Sequence, residues 1–323
     1  MLRTICAGLF LVLSGCASIN LVATQAPVLR LEEVHDTGAT RVEFDPTGTR
    51  MASGGFRGDV IIWSVPAGKR LTTLKEHEDI IRGLAWLDKD HLLTAGEDGL
   101  ILVWDVGTGK VMHRASSESV TAMAWLPKRQ LIITGHKQGA LRSWRYPQMQ
   151  QVAESRMADE VLAVEANPAE TLVAVADDSE HARILDSSLK KIRELDTRDQ
   201  TIWSYSFSPD GKTLAAGSDA ELYLWDVRTW KLTVRDTEHL GRLIAVDYSP
   251  DGRRLVSLGR IHDANLRIYD TSDYSLKRRL RAHNLCGYNA RISPDGHYVA
   301  SAAEDESLRL YDIKAPYQPG WGE

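Results

Sequence analysis

Glu97-Asp98-Gly99-Leu100-Ile101-Leu102-Val103-Trp104-Asp105 reads as a tight turn followed by a strand that ends in Trp-Asp. Six other stretches echo it at a period of about 40 residues, a spacing typical of repeat architectures. They end in Trp63-Ser64, Trp144-Arg145, Leu185-Asp186, Trp225-Asp226, Tyr269-Asp270 and Tyr311-Asp312. Everything between Pro27 and Lys314 can be laid out against these marks.

Each unit carries further signals upstream of its mark. In the fifth, Ile202-Trp203-Ser204-Tyr205-Ser206-Phe207 alternates as a strand does, and Ser208-Pro209-Asp210-Gly211 follows. Pro pre-sets φ and Gly takes positive φ, so this is turn chemistry. The turn recurs as Ser249-Pro250-Asp251-Gly252 and Ser293-Pro294-Asp295-Gly296, with looser copies at Asp45-Pro46-Thr47-Gly48 and Asn167-Pro168-Ala169-Glu170. A unit is therefore an inner strand, a turn, a second strand, a tight turn, the Trp-Asp strand and an outer strand.

In these residues the chain resembles the WD-repeat β-propellers. The resemblance implies an all-β fold, a seven-bladed β-propeller of four-stranded antiparallel blades. It also implies a hydrogen-bonded set in each blade: a His before the inner strand, a Ser or Thr on the second strand, an Asp in the tight turn, and the Trp. Blade two matches at every position, with His77, Thr94, Asp98 and Trp104. Such a set satisfies polar groups that would otherwise be buried unpaired. Blade one has His35, Ser53 and Trp63, with Arg57 where Asp is expected. Blade six has His239, Ser257, Asp263 and Tyr269, and blade seven His283, Ser301, Asp305 and Tyr311. Blade three offers Gln138 and Trp144, and blade five Asp219 and Trp225 without the His. Blade four has neither His nor Trp and is expected to be the least locked. The last blade runs out of chain before a fourth strand, so Leu29–Glu33 is expected to supply it and close the ring.

The start of the chain has its own pattern. Arg3 precedes an apolar run, Ile5 to Val12, too short to span a bilayer core of about 30 Å as a helix. Leu13-Ser14-Gly15-Cys16 then resembles the lipobox of bacterial lipoproteins. That resemblance implies a signal peptide over 1–15, lipidation of Cys16, and a tether over 16–27. Several acyl chains anchor firmly where one does not. Ala17 and Ser18, in place of an Asp after the Cys, imply the outer membrane, facing the periplasm. The remaining divisions are a propeller over 28–314 and a tail over 315–323, which is either loose or covers one end of the channel. Cys6 leaves with the signal, so Cys286 stands alone and no intrachain disulfide is expected.

Hydrophobic content of 43%, charged content of 26% and a net charge of -5 suit a globular domain and argue against nucleic acid. The basic run Lys277, Arg278, Arg279 and Arg281 reads as a solvated outer strand. The sequence holds no Gly-x-Ser-x-Gly elbow, phosphate loop or His-Glu-x-x-His motif. No catalytic residue, metal or cofactor is expected, and the propeller is read as monomeric.

In the WD-repeat family, partners commonly bind on the face where inner strands begin. Position puts Arg82, Thr121, Leu162, Trp203, Ile244 and Tyr288 around the channel mouth, with Phe56, Glu97, Lys137, Asp178, Ser218, His262 and Glu304 on the adjoining turns. The partner-binding rim is assigned to Phe56, Arg82, Glu97, Lys137, Trp203, His262, Tyr288 and Glu304, where aromatics would anchor a partner. The expected role is a lipid-anchored, non-catalytic scaffold binding other envelope proteins. Its rivals are an enzyme using the channel, and a ligand or glycan binder stacking on Trp203 and Tyr288, since fold alone does not choose.

Overall fold

A computed structural model describes residues 24–260, 263–281 and 283–317. Cys16, the signal segment and tether residues 16–23 lie outside the described residues, as do His262 and tail residues 318–323. Among the described residues the chain forms seven four-stranded antiparallel sheets and no helix. Blade two shows the unit: Ile81–Trp86, His91–Gly96, Leu100–Asp105 and Lys110–Ser116 follow one another outward from the channel. Gly99 sits at φ 79°, and a Cβ there would lie 2.3 Å from the Ser117 carbonyl oxygen. Handedness and space both require glycine in that turn.

Each blade is apolar on both faces, so the cores lie between blades. Ala52, Ile62 and Leu74 of blade one pack with Ile81, Leu92 and Trp104 of blade two. Across the seam, Ala300, Leu308 and Leu310 of blade seven pack with Val42, Phe44 and Ile61 of blade one. The seam is closed by Leu29–Leu31, which pairs antiparallel with the third strand of blade seven in the register Leu29↔Leu310, Arg30↔Arg309, Leu31↔Leu308. The closing strand is shorter than the sequence suggested, because Glu33 turns to φ 50°. Upstream, Gln25 bridges to Leu280 of blade six and donates from Nε2 to the Asp312 carbonyl at 3.0 Å. The basic outer strand of blade six is thus partly covered: Arg278 faces Gln25 and lies over the Tyr317 ring.

Six inner strands slip register at the same place, at Thr40, Arg82, Thr121, Leu162, Ile244 and Tyr288. Such a bulge re-aims the extra side chain. Blade five differs: its inner strand begins at Ser204, not Ile202, although Trp203 N still donates to the Gly217 carbonyl at 2.9 Å. On the channel side an inner strand has no neighbouring strand, so its open backbone groups need other partners. Side chains of adjacent blades supply them. Thr40 Oγ1 donates to the Ile81 carbonyl (2.7 Å) and Thr121 Oγ1 to the Val161 carbonyl (2.6 Å). Asn289 Oδ1 accepts from Val42 N (3.1 Å), Ser206 Oγ from Tyr248 N (3.1 Å) and Asp247 Oδ2 from Ile292 N (2.7 Å).

A chain that begins at Glu33 lacks the closing strand. Compared with one that begins at Thr24, its melting midpoint is expected to fall by at least ~5 °C, because a sheet edge and a blade interface are lost. Differential scanning calorimetry checks this, and an unchanged midpoint would show that blade seven is held without that strand.

Candidate functional site

The hydrogen-bonded set of blade two is complete. His77 Nδ1 lies 2.9 Å from Asp98 Oδ2, His77 Nε2 lies 2.7 Å from Thr94 Oγ1, and Trp104 Nε1 donates to Thr94 Oγ1 at 2.9 Å. A carboxylate only accepts, so Nδ1 carries the proton; the hydroxyl then donates to Nε2 and accepts from the indole. Burial raises the Asp98 carboxyl, but the hydrogen bond and charge of His77, with the Leu100 and Glu78 backbone N–H groups, together outweigh it and the net shift is downward.

Other blades solve the same problem differently. In blade one Arg57 is bypassed: Asp59, two residues on, takes His35 Nδ1 at 2.6 Å, while Arg57 points outward to Asp36. Blade three has no lead-in His, yet His136 at the end of its own second strand reaches Thr134 Oγ1 at 2.9 Å, and Trp144 Nε1 donates to the same hydroxyl. In blade four Asp177 alone collects Ala158 N, Ser179 N and His181 N, so this blade has a polar lock of its own. In blade five Asp219 does not serve Trp225. It accepts from Trp203 Nε1 at 3.1 Å, and Trp225 Nε1 is buried with no partner among the described residues. Blades six and seven keep His239–Asp263 (3.0 Å) and His283–Asp305 (2.9 Å), with Tyr311 OH bonded to the Arg281 carbonyl.

Five of the bulges and the lead into blade five's inner strand gather the mouth residues. Arg82, Thr121, Leu162, Trp203, Ile244 and Tyr288 all line one cavity of about 230 Å³. Phe56 meets Tyr288 edge to face at 5.2 Å, and Arg82 pairs with Glu97 at 2.6 Å. Lys137 and Glu304 are exposed on their turns. The Thr121 hydroxyl is spent on the next blade, which makes it structural. The two aromatics offered as stacking platforms are covered: Arg242 lies 4.1 Å over Trp203 and Arg260 4.8 Å over Tyr288. A sugar ring stacking there would have to displace a guanidinium.

Deeper in the channel stand charges that the sequence reading did not select: Arg41, Glu43, Glu165, Asp247 and Arg291. Their signal was a charged residue at alternate places in an apolar strand, as in Arg41-Val42-Glu43. Arg291 Nε bonds Glu43 Oε2 at 3.0 Å, and its Nη1 lies 3.8 Å from Asp247 Oδ1. Burial pushes the Glu165 carboxyl up to about 8; Arg291 opposes this, and Asp247 and Glu43 add to it. Burial, followed by the Arg82 and Arg291 cations, brings Arg41 down to about 9. Among the described residues no three His, Cys, Asp or Glu side chains are placed to hold a metal ion. Cys286 is a partly buried free thiol.

Folded Glu165 keeps its proton to about pH 8, whereas an ordinary Glu releases it near 4.5. Folding takes up that proton between these values, so this group makes stability fall as pH rises from about 4.5 to about 8. Glu165→Gln removes the penalty. The variant is expected to have the higher urea midpoint at pH 8 and near parity at pH 4.5. Glu43 and Asp247 are also pushed up but are present in both proteins. Equal midpoints at pH 8 would refute the assignment.

Comparison with known proteins places this geometry. The family profile "WD domain, G-beta repeat" matches residues 27–64, 68–105, 189–226 and 275–312, each taking the outer strand of one blade and the first three strands of the next, those of blades one, two, five and seven. The chain is 24% identical over 303 residues to a WD repeat-containing protein, WDS homolog, of Arabidopsis thaliana, covering 86% of this chain and 56% of that one. It is 25% identical to WD repeat-containing protein VIP3 of the same plant, covering 57% of this chain and 64% of the relative. It is 28% identical to WD repeat-containing protein AAC3 of Dictyostelium discoideum, covering 58% and 46%. The chain thus spans about half to two thirds of these relatives' lengths. Four matched repeats, WD-repeat relatives and seven closed four-stranded blades together support the WD-repeat family for this chain.

Proposed function

We propose that this protein is a lipid-anchored, non-catalytic scaffold of the bacterial cell envelope that binds a protein partner on its channel-mouth face. WD-repeat propellers generally bind protein partners, which supports the protein-binding part of this reading. The observation that carries it is the mouth itself. Six bulged or leading inner-strand residues ring one cavity, Phe56 and Tyr288 pack beside it, and exposed Leu240 (70%) and Leu285 (53%) stand in the lead-in loops of blades six and seven. Apolar side chains on a rigid rim around a polar centre suit a protein surface. The anchor rests on the sequence Leu13-Ser14-Gly15-Cys16.

Photo-crosslinking in cells tests the docking face. Probes at Phe56 and Leu285 are expected to form protein adducts, and a probe at Lys212, in the turn between the inner and second strands of blade five, is not. Equal adducts at all three positions, or none at the first two, would sink the reading. Cys16→Ser is expected to move the protein out of the membrane fraction; retention there would remove the anchor and leave the docking face standing.

A further inference from the structure

The channel mouth contains more positive charge than its own carboxylates satisfy at close range. Four arginines line the cavity: Arg41, Arg82, Arg260 and Arg291. Two are matched, Arg82 to Glu97 and Arg291 to Glu43. Arg41 is not. Its Nε donates to the Arg82 carbonyl at 2.8 Å and its Nη1 to the Thr40 carbonyl at 2.9 Å, leaving Nη2 without an acceptor among the described residues. Arg260 donates from Nη2 to Tyr288 OH at 3.2 Å and stacks on that ring, while its Nε is buried without a partner. Neither guanidinium has a carboxylate in ion-pair contact among the described residues. A desolvated cation lacking a counter-charge is costly. The two guanidiniums stand on blades six and one, on either side of Tyr288 of blade seven, and form a prepared arc for an anion.

We infer that this arc receives the carboxylate of an acidic side chain on the docking partner; this rests on the scaffold reading above. A planar carboxylate matches the guanidinium fork. The far wall selects for a single charge. Glu160 of blade four lines the same cavity, and its carboxylate would oppose a phosphate dianion about twice as strongly as a carboxylate; Glu165 beside it is protonated at neutral pH and adds no charge. The cavity, about 230 Å³, takes a side chain but no folded element. Phe56, Leu240 and Leu285 then offer apolar contact to the residues flanking the inserted one.

The test is a selection of random short peptides, acetylated and amidated so that only side chains carry charge, on the full chain purified in detergent. A photo-probe at Phe56 identifies those bound at the mouth. These are expected to share an Asp or Glu. Changing that residue to its amide, or Arg41→Gln in the protein, should each weaken binding at least ~10-fold, and the two together little more, since both remove one pair. Arg260→Gln is the second variant, and melting curves establish that each variant is folded. Mouth-bound peptides without a shared acid, or with affinity unchanged in both folded variants, would overturn the carboxylate site while leaving the scaffold reading intact. No peptide captured at the mouth would count against both.

Discussion

Each blade of this protein has two apolar faces, and that one constraint requires a ring. A row of seven such sheets would leave two faces in water. Pairing Leu29–Leu31 with Leu308–Leu310 joins the first and last blades, so Phe44 and Ile61 can bury against Ala300 and Leu308. Burial of apolar area supplies the free energy, and closure makes the last interface available. A central channel is the geometric consequence. Its wall is made of strands with one unpaired edge, and Thr40, Thr121, Ser206, Asp247 and Asn289 are placed to satisfy those edges.

The His, hydroxyl and carboxylate sets answer a second, local constraint. A Trp or Tyr buried at a blade interface brings a polar hydrogen into an apolar place, and that hydrogen needs an acceptor. Blades one and three show that the solution belongs to the space more than to the sequence position. Asp59 replaces the expected turn residue, and His136 approaches from the second strand itself instead of the lead-in loop, yet the hydroxyl still accepts from the indole. Blade five lacks the His, and there the Trp225 indole nitrogen is unpartnered among the described residues. Asp219 has been diverted to the mouth, where it holds Trp203.

The mouth gains its character from the same economy of partners. Bulges put Arg82, Thr121, Leu162, Ile244 and Tyr288 on the rim, blade five adds Trp203 without one, and alternation sends charges down the channel. Most of those charges are paired or hold a neighbouring backbone. Arg41 and Arg260 keep guanidinium nitrogens without an acceptor among the described residues, and burial holds Glu165 protonated.

Much of this was legible in the residues. Periodicity, the Pro-Asp-Gly turns and the surplus strand at Leu29 determined the blade count and the way the ring closes, because these depend on local propensity and on counting strands. The complete set in blade two and the six mouth positions were likewise readable, since they recur at fixed offsets. Tertiary structure decided what offsets do not carry. It chose Asp59 over Arg57 and recruited His136, because a hydrogen bond is fixed by distance and not by position in a motif. It covered Trp203 and Tyr288 with Arg242 and Arg260, residues from loops remote in sequence. It also set charges from blades one, four, six and seven around one channel, where low polarity makes each depend on the others.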